Sequence, residues 1–210
     1  MASFPVATFL AGVGVGLTVA VPIGPMGLLC IQRTLAFGLV AGLATGLAAA
    51  TVHLMFGAVA ALGLGSAMQA YMSAGAQVFA LVSAGLLFWF AIRVLCRSAM
   101  MGSETPPPET WLRSFGSAFA LGLANPITVL LFLAALPALA TADDLKAAPL
   151  LITGVFLGSI GWWILLSTTV SLIRRRLSAR ALNLTNRASG LTLAALGTLM
   201  LANAFGLTLN

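Results

Sequence analysis

The sequence predicts an all-α membrane protein of six transmembrane helices, built as two inverted three-helix repeats in which helices one and four are broken. Three observations carry this prediction. The chain of 210 residues is 60% hydrophobic and 7% charged, so its apolar residues cannot form one small core inside a charged shell and must face lipid and one another. Its apolar runs are long enough to cross a hydrocarbon layer of ~30 Å, which takes ~20 helical residues. Nine of its 10 Lys and Arg residues fall in alternate breaks between those runs.

In chain order the runs occupy roughly 5–30, 36–64, 74–96, 115–140, 148–173 and 188–208. The breaks carry the polar residues: Gln32 to Thr34, Gly65 to Gln69, Arg97 to Arg113, Asp143 to Lys146 and Arg174 to Arg187. Arg33 lies in the first, Arg93, Arg97 and Arg113 at or in the third, and Arg174, Arg175, Arg176, Arg180 and Arg187 in the fifth. Only Lys146 falls in an even one. Positively charged loops stay in the cytoplasm, so both termini are expected outside a bacterial cytoplasmic (inner) membrane, on its periplasmic face where there is a second membrane. The net charge of +6 is therefore a topological signal rather than a nucleic-acid footprint, because Arg174-Arg175-Arg176 caps a span with no aromatic platform beside it.

The amino terminus, MASFPVATFL, has no basic residue ahead of an apolar run too long for a secretory signal, and reads as a mature span. Cys30 and Cys96 fall near the cytoplasmic ends of spans one and three, where a reducing compartment argues against a disulfide. The stretch SETPPPE, residues 103 to 109, has linker composition. It divides one domain, 1–210, into repeat one (5–96), a linker (97–114) and repeat two (115–208).

Those halves resemble each other. Pro25 in VPIGPMG is answered 101 residues later by Pro126 in LANPITV. Thr45-Gly46 is answered by Thr153-Gly154 at an offset of 108, and Ala84-Gly85-Leu86 by Ser189-Gly190-Leu191 at 105. Three matches in one order point to duplication. An odd number of spans per copy inserts the copies upside down relative to each other, an architecture typical of secondary transporters.

Proline inside a helix removes a backbone donor and clashes with the preceding turn, so Gly24-Pro25 and Asn125-Pro126 should break spans one and four. Broken backbone at membrane depth is tolerated only where it is buried in protein or lines a cavity. A half-helix starting there would present free amide groups and a positive dipole end to an anionic head group. Small residues set the packing. Gly38, Gly42 and Gly46 recur along one face of span two, and Gly154 and Gly158 along span five, as ridges that let helices approach closely. They are expected to pack within one chain, with a homodimer as the other reading.

Charge inside the spans is nearly absent, since Glu104, Glu109, Asp143 and Asp144 all belong to loops. The exception among titratable groups is His53, about fifteen residues into span two and so ~22 Å along it. An ionisable residue at that depth indicates a proton relay or a substrate partner, against the alternative of a neutral histidine bonded to another helix. Thr45, Thr51, Asn125, Thr128, Ser159 and Thr168 supply the remaining polarity. The candidate translocation set is thus Gly24, Pro25, Thr45, Thr51, His53, Asn125, Pro126 and Thr128.

The segment from Gly24 to Leu64, GPMGLLCIQRTLAFGLVAGLATGLAAATVHLMFGAVAALGL, resembles the first block of the LysE/RhtB family of amino-acid exporters, with its proline-glycine turn and glycine-rich second span. NPITVLLFLAALPAL, GVFLGSIGWWILLS and RRRLSARALNLTNRASG resemble that family's second half. The resemblance implies proton-driven efflux of amino acids or related small metabolites from the cytoplasm. Two departures stand out. The family's Pro-Gly-Pro turn is one residue longer here, Pro22-Ile23-Gly24-Pro25, and His53 stands where members commonly carry an aspartate. A histidine titrates near neutral pH but pairs poorly with a cationic side chain when protonated, which favours neutral or anionic substrates.

Other function classes fit less well. A transmembrane thiol or electron carrier of related architecture needs a cysteine beside each broken helix, and the repeat partner of Cys30 is Leu131. An enzyme needs a nucleophile with its base, or a metal cluster, and one histidine without a buried carboxylate assembles neither. No catalytic group, metal or cofactor is expected. The expected partners are a small-molecule substrate and membrane lipid, and a non-transporting membrane scaffold is the alternative function.

Overall fold

The computed structural model describes residues 3–22, 24–62, 64–100, 110–139, 147–174 and 179–205. They form eight helices and no strand: α1 Ser3–Ala20, α2 Pro25–Phe37, α3 Leu39–Ala61, α4 Gly65–Met100, α5 Trp111–Leu123, α6 Pro126–Leu139, α7 Ala148–Arg174 and α8 Ala179–Ala204. The four carboxylate-bearing residues, Lys146, Arg175, Arg176 and the SETPPPE stretch lie outside the described residues.

Among the described residues α3 and α7 are long and apolar enough to cross a membrane, and counting each of two bent pairs as one span brings the number to four. The axes of α1 and α2 meet at 75°, those of α5 and α6 at 61°. α4 contributes the apolar stretch Leu81–Cys96. α8 starts with Arg180, Asn183, Asn186 and Arg187, so its apolar part begins only at Ala188.

Three boundaries correct the sequence reading. Gln32, Arg33 and Thr34, read as the first loop, are helical and buried, and α2 continues to Phe37. The true junction is the single residue Gly38, whose φ of 91° lies in the region where a β-carbon is strained. Gly38 therefore belongs to a turn rather than to the ridge of span two. Helix also runs into both ends of the expected linker, with α4 reaching Met100 and α5 starting at Trp111 behind the Thr110 side chain, which accepts from Arg113 N.

The helices pair in a pattern with internal symmetry. α1 packs along α7, and α5 along α3; α2 touches α7 and α8, as α6 touches α3 and α4; α3 and α7 pack together, and so do α4 and α8. One core cluster joins Met26, Leu29, Cys30, Leu87, Phe90, Leu121 and Trp163 through alanines at 48–50, 84 and 118. A second joins Val19, Ala60, Val129, Phe132, Leu151 and Val155. Alanines at so many central positions let the helices approach closely, the usual basis of packing where lipid removes a hydrophobic drive between helices. The outward residues are large and apolar: Val40 is 65% exposed, Leu112 72% and Leu165 59%. Faces of that kind suit hydrocarbon, not water.

Ends that the positive charges group together are together in space. Arg33, one turn from the end of α2, donates to the Ser114 carbonyl in the first turns of α5. A β-carbon at Gly38 would sit 3.4 Å from Nη1 of Arg174, the last residue of α7. The α2–α3 turn, the start of α5 and the end of α7 thus share one end of the bundle.

Candidate functional site

Both expected breaks are present, and they are built differently. At the first, Val21 N still bonds Leu17 O at 2.9 Å and Gly24 N bonds Pro22 O at 2.8 Å. Helix resumes at Pro25, whose missing N–H costs nothing at the first helical position. Gly24 is the N-cap, and no side chain caps the first turn of α2. At the second, Ala124 ends α5 and Asn125 caps α6: its Oδ1 accepts from Ile127 N at 3.2 Å, and its Nδ2 donates to Thr128 Oγ1 at 3.0 Å. Ser83 Oγ on α4 donates to the Ala124 carbonyl that the break frees. Asn125 and Thr128 are buried.

His53 is 3% exposed on α3 and meets α7 and α6. Its Nδ1 lies 2.7 Å from Ser159 Oγ, and Trp163 Nε1 donates to the same oxygen at 3.2 Å. The Phe132 ring closes the other side, tilted 57° with centroids 5.7 Å apart. An indole can only donate, so the Ser159 oxygen accepts from Trp163 and keeps its own proton for a neutral His53 Nδ1. When Nδ1 carries a proton, the second lone pair of Ser159 can accept it. Both protonation states of the imidazole therefore find a partner on the facing helix.

The two α3 threonines expected in the site separate. Thr51 is half-buried and donates to Leu47 O of its own helix at 2.8 Å. Thr45 donates to Ala41 O at 2.9 Å and accepts from Arg33 Nη1 at 3.2 Å. Thr168 faces outward. The predicted residues thus occupy five places: Gly24 and Pro25 at one break; Asn125, Pro126 and Thr128 at the other; His53 between α3 and α7; Thr45 beside Arg33; and Thr51 bonded along its own helix.

Sequence reasoning missed Arg33 as a site residue, because a charge between apolar runs reads as loop. Gly38 was the available signal: a glycine stop at that point leaves Arg33 a full turn inside the helix. Ser159 was noticed only as a polar residue. Its link to His53 spans 106 positions, and no local pattern announces it.

Small residues permit the close approaches. A β-carbon on Gly154 would strike Phe9 O, one on Gly158 Val13 O, and ones on Gly12 and Gly16 the carbonyls of Leu151 and Val155. These four glycines bring α1 and α7 into backbone contact. Gly42 lies against Thr34 and Ser167, and Gly46 against Trp163, so α3 seats α2 and α7. Among the described residues no group of three or more His, Cys, Asp or Glu side chains could hold a metal ion.

The sequence matches the LysE type translocator family over residues 17–204. Comparison with curated proteins and with solved structures gives no match. The matched region runs from the last turn of α1 through α8, taking in both breaks, Arg33 and His53. With the apolar helices it makes this a multi-pass membrane protein. The chain belongs to the LysE type translocator family, which is associated with membrane transport of amino acids or similar molecules.

Proposed function

We propose that this protein is a secondary transporter that exports neutral or anionic amino acids, or closely related metabolites, from the bacterial cytoplasm in exchange for protons. The contact that carries the reading is His53 against Ser159. It places a titratable group inside a long apolar helix, bonded to the other such helix, with a partner for either protonation state. An exchanger needs a group that takes a proton from one side and gives it to the other, and an imidazole is a side chain able to do both.

Six spans in two inverted repeats give that exchange a mechanism. The reciprocal pairing of α1 with α7 and α5 with α3 supports the repeat, since a pseudo-twofold axis between the halves would generate both contacts. The shared end at which Arg33, Ser114 and Arg174 meet supports a cytoplasmic assignment for the α2–α3 turn, with both termini external. Arg93, stacked 4.3 Å over Trp89, is the cation-aromatic pair typical of a membrane–water boundary. The first turn of α2, which lacks a side-chain cap, is where the anionic head group of the substrate is held.

The deciding experiment is induced expression in cells fed dipeptides that load the cytoplasm with single amino acids. At least one cytoplasmic amino-acid pool should fall, the same amino acid should rise in the medium, and its toxicity should be relieved. Unchanged pools for every amino acid tested would leave a non-transporting scaffold as the better reading.

A further inference from the structure

The proton exchange above makes no use of the most deeply buried charge described in the chain. Arg33 on α2 is 2% exposed. Its Nη1 donates to Ser114 O at 2.7 Å and to Thr45 Oγ1 at 3.2 Å, and its Nη2 to Ser117 Oγ at 2.7 Å. The Phe90 ring lies 5.1 Å below the guanidinium carbon. Three helices besides its own thus converge on one cation: α3 through Thr45, α4 through Phe90, and α5 through the Ser114 carbonyl and the Ser117 hydroxyl. A charged residue inside a membrane protein is expensive and as a rule functional.

The surrounding hydroxyls are arranged as acceptors. Thr45 spends its proton on Ala41 O at 2.9 Å and Ser117 on Arg113 O at 2.5 Å, so each offers only lone pairs to Arg33. Ser114 differs. It is fully buried, its carbonyl is held by Arg33, and its hydroxyl has no hydrogen-bond partner among the described residues. Burying an unpaired hydroxyl carries a desolvation cost, and one on a residue whose own carbonyl meets a guanidinium indicates an acceptor that is bound only part of the time.

We propose that Arg33, Thr45, Ser114 and Ser117 form a carboxylate-binding site at the cytoplasmic mouth of the transporter, a station that the substrate reaches before the first turn of α2. Arg33 lies eight residues beyond Pro25, or ~12 Å along α2, at the end shared with the start of α5 and the end of α7. A carboxylate is a stronger partner for guanidinium than a hydroxyl or a carbonyl, because the bonds are charge-assisted and can be made in pairs. It can displace Ser117 and Thr45 and at the same time accept the idle proton of Ser114. The position at the cytoplasmic end rests on the exporter reading; the carboxylate chemistry rests on the residues alone.

Thermal unfolding of the purified full chain in detergent tests the site. The probes are L-amino acids, the corresponding amino-acid amides, acetate, pyruvate and inorganic phosphate. At least one carboxylate should raise the unfolding temperature while its amide does not, as expected when a ligand binds only the folded state. The shift should vanish in Arg33→Gln, and Arg33→Lys should need roughly tenfold more ligand, because an ammonium cannot make the paired bonds. Ser114→Ala keeps the proposal testable if Arg33→Gln fails to fold. Removing an unpartnered hydroxyl should leave the ligand-free unfolding temperature unchanged or raised and weaken the carboxylate shift several-fold. Shifts that are equal for acid and amide, retained in the Arg33 and Ser114 variants, absent for every carboxylate or found for phosphate alone would each overturn the site. Efflux in cells with no Arg33-dependent carboxylate binding would refute the site and leave the exporter standing; Arg33-dependent binding without efflux of any amino acid would do the reverse.

Discussion

The two broken spans differ in what closes them. The break between α5 and α6 is satisfied by side chains: Asn125 caps α6 and holds Thr128, and Ser83 covers the Ala124 carbonyl. Among the described residues, the break between α1 and α2 shows backbone bonds and a glycine cap, with no side-chain cap on α2. The same asymmetry runs through the rest of the chain. At the repeat offset of 101, Arg33 corresponds to Ala134; at the offset of 108, His53 corresponds to Gly161, where a β-carbon would meet nothing within 4 Å. The first half therefore carries an uncapped helix start, a buried cation and a titratable ring, and the second carries the groups that brace them. On the proposed repeat, one half became the working half and the other its support.

The largest test of that division is His53→Gln. Glutamine keeps a polar end for Ser159 but cannot carry the proton. Wild-type efflux should rise as the medium is acidified, because protons then enter more readily through the group that releases substrate outward. In His53→Gln, proton-driven efflux should be lost, while substrate-for-substrate exchange in proteoliposomes persists. An unchanged pH profile in the variant would make His53 a packing residue and remove the working half's claim to it.

How much of this was legible in the sequence follows from the range of each interaction. The breaks were legible because proline acts on its own turn: Pro25 and Pro126 each begin a helix, as their chemistry requires. The place of His53 inside a long apolar helix was legible from the length of its apolar run. Its surroundings were not, since Ser159, Trp163 and Phe132 come from helices 79 to 110 positions away. Arg33 was misplaced for a related reason. Hydropathy marks a charge as a loop, and only the acceptors on α3 and α5, at separations of 12, 81 and 84 residues, make a helical burial tolerable.

A second test separates the breaks by charge. A β-carbon at Gly24 would meet nothing within 4 Å, and its φ of −92° is open to any residue. Gly24→Asp should fold well, because a carboxylate is a good N-cap and favours the positive end of a helix by ~0.3–1 kcal/mol. Transport should nonetheless fall by roughly tenfold or more, since a like charge at the head-group site costs more than ~1.4 kcal/mol. Initial efflux rates at matched membrane abundance measure this. Unimpaired transport by Gly24→Asp would show that the open break does not hold the substrate, and the two breaks would then differ only in how they are braced.

The smallest effects concern that bracing. Asn125→Ala removes the cap on Ile127 N and the bond to buried Thr128, and should lower stability by about 1 kcal/mol, the usual cost of losing an N-cap. Gly24→Ser adds a cap where none exists and should raise stability by only a few tenths, because glycine is already a fair N-cap. Thermal unfolding of the two purified variants would read opposite signs, with Asn125→Ala the larger. The efflux assay gives the sharper contrast. Asn125→Ala should still transport once its lower abundance is allowed for, since its side-chain bonds are made within α6 and leave none obviously reserved for a ligand. If Asn125→Ala instead loses efflux with its unfolding temperature unmoved, the closed break is the one that touches substrate, and the assignment of working and supporting halves must be exchanged.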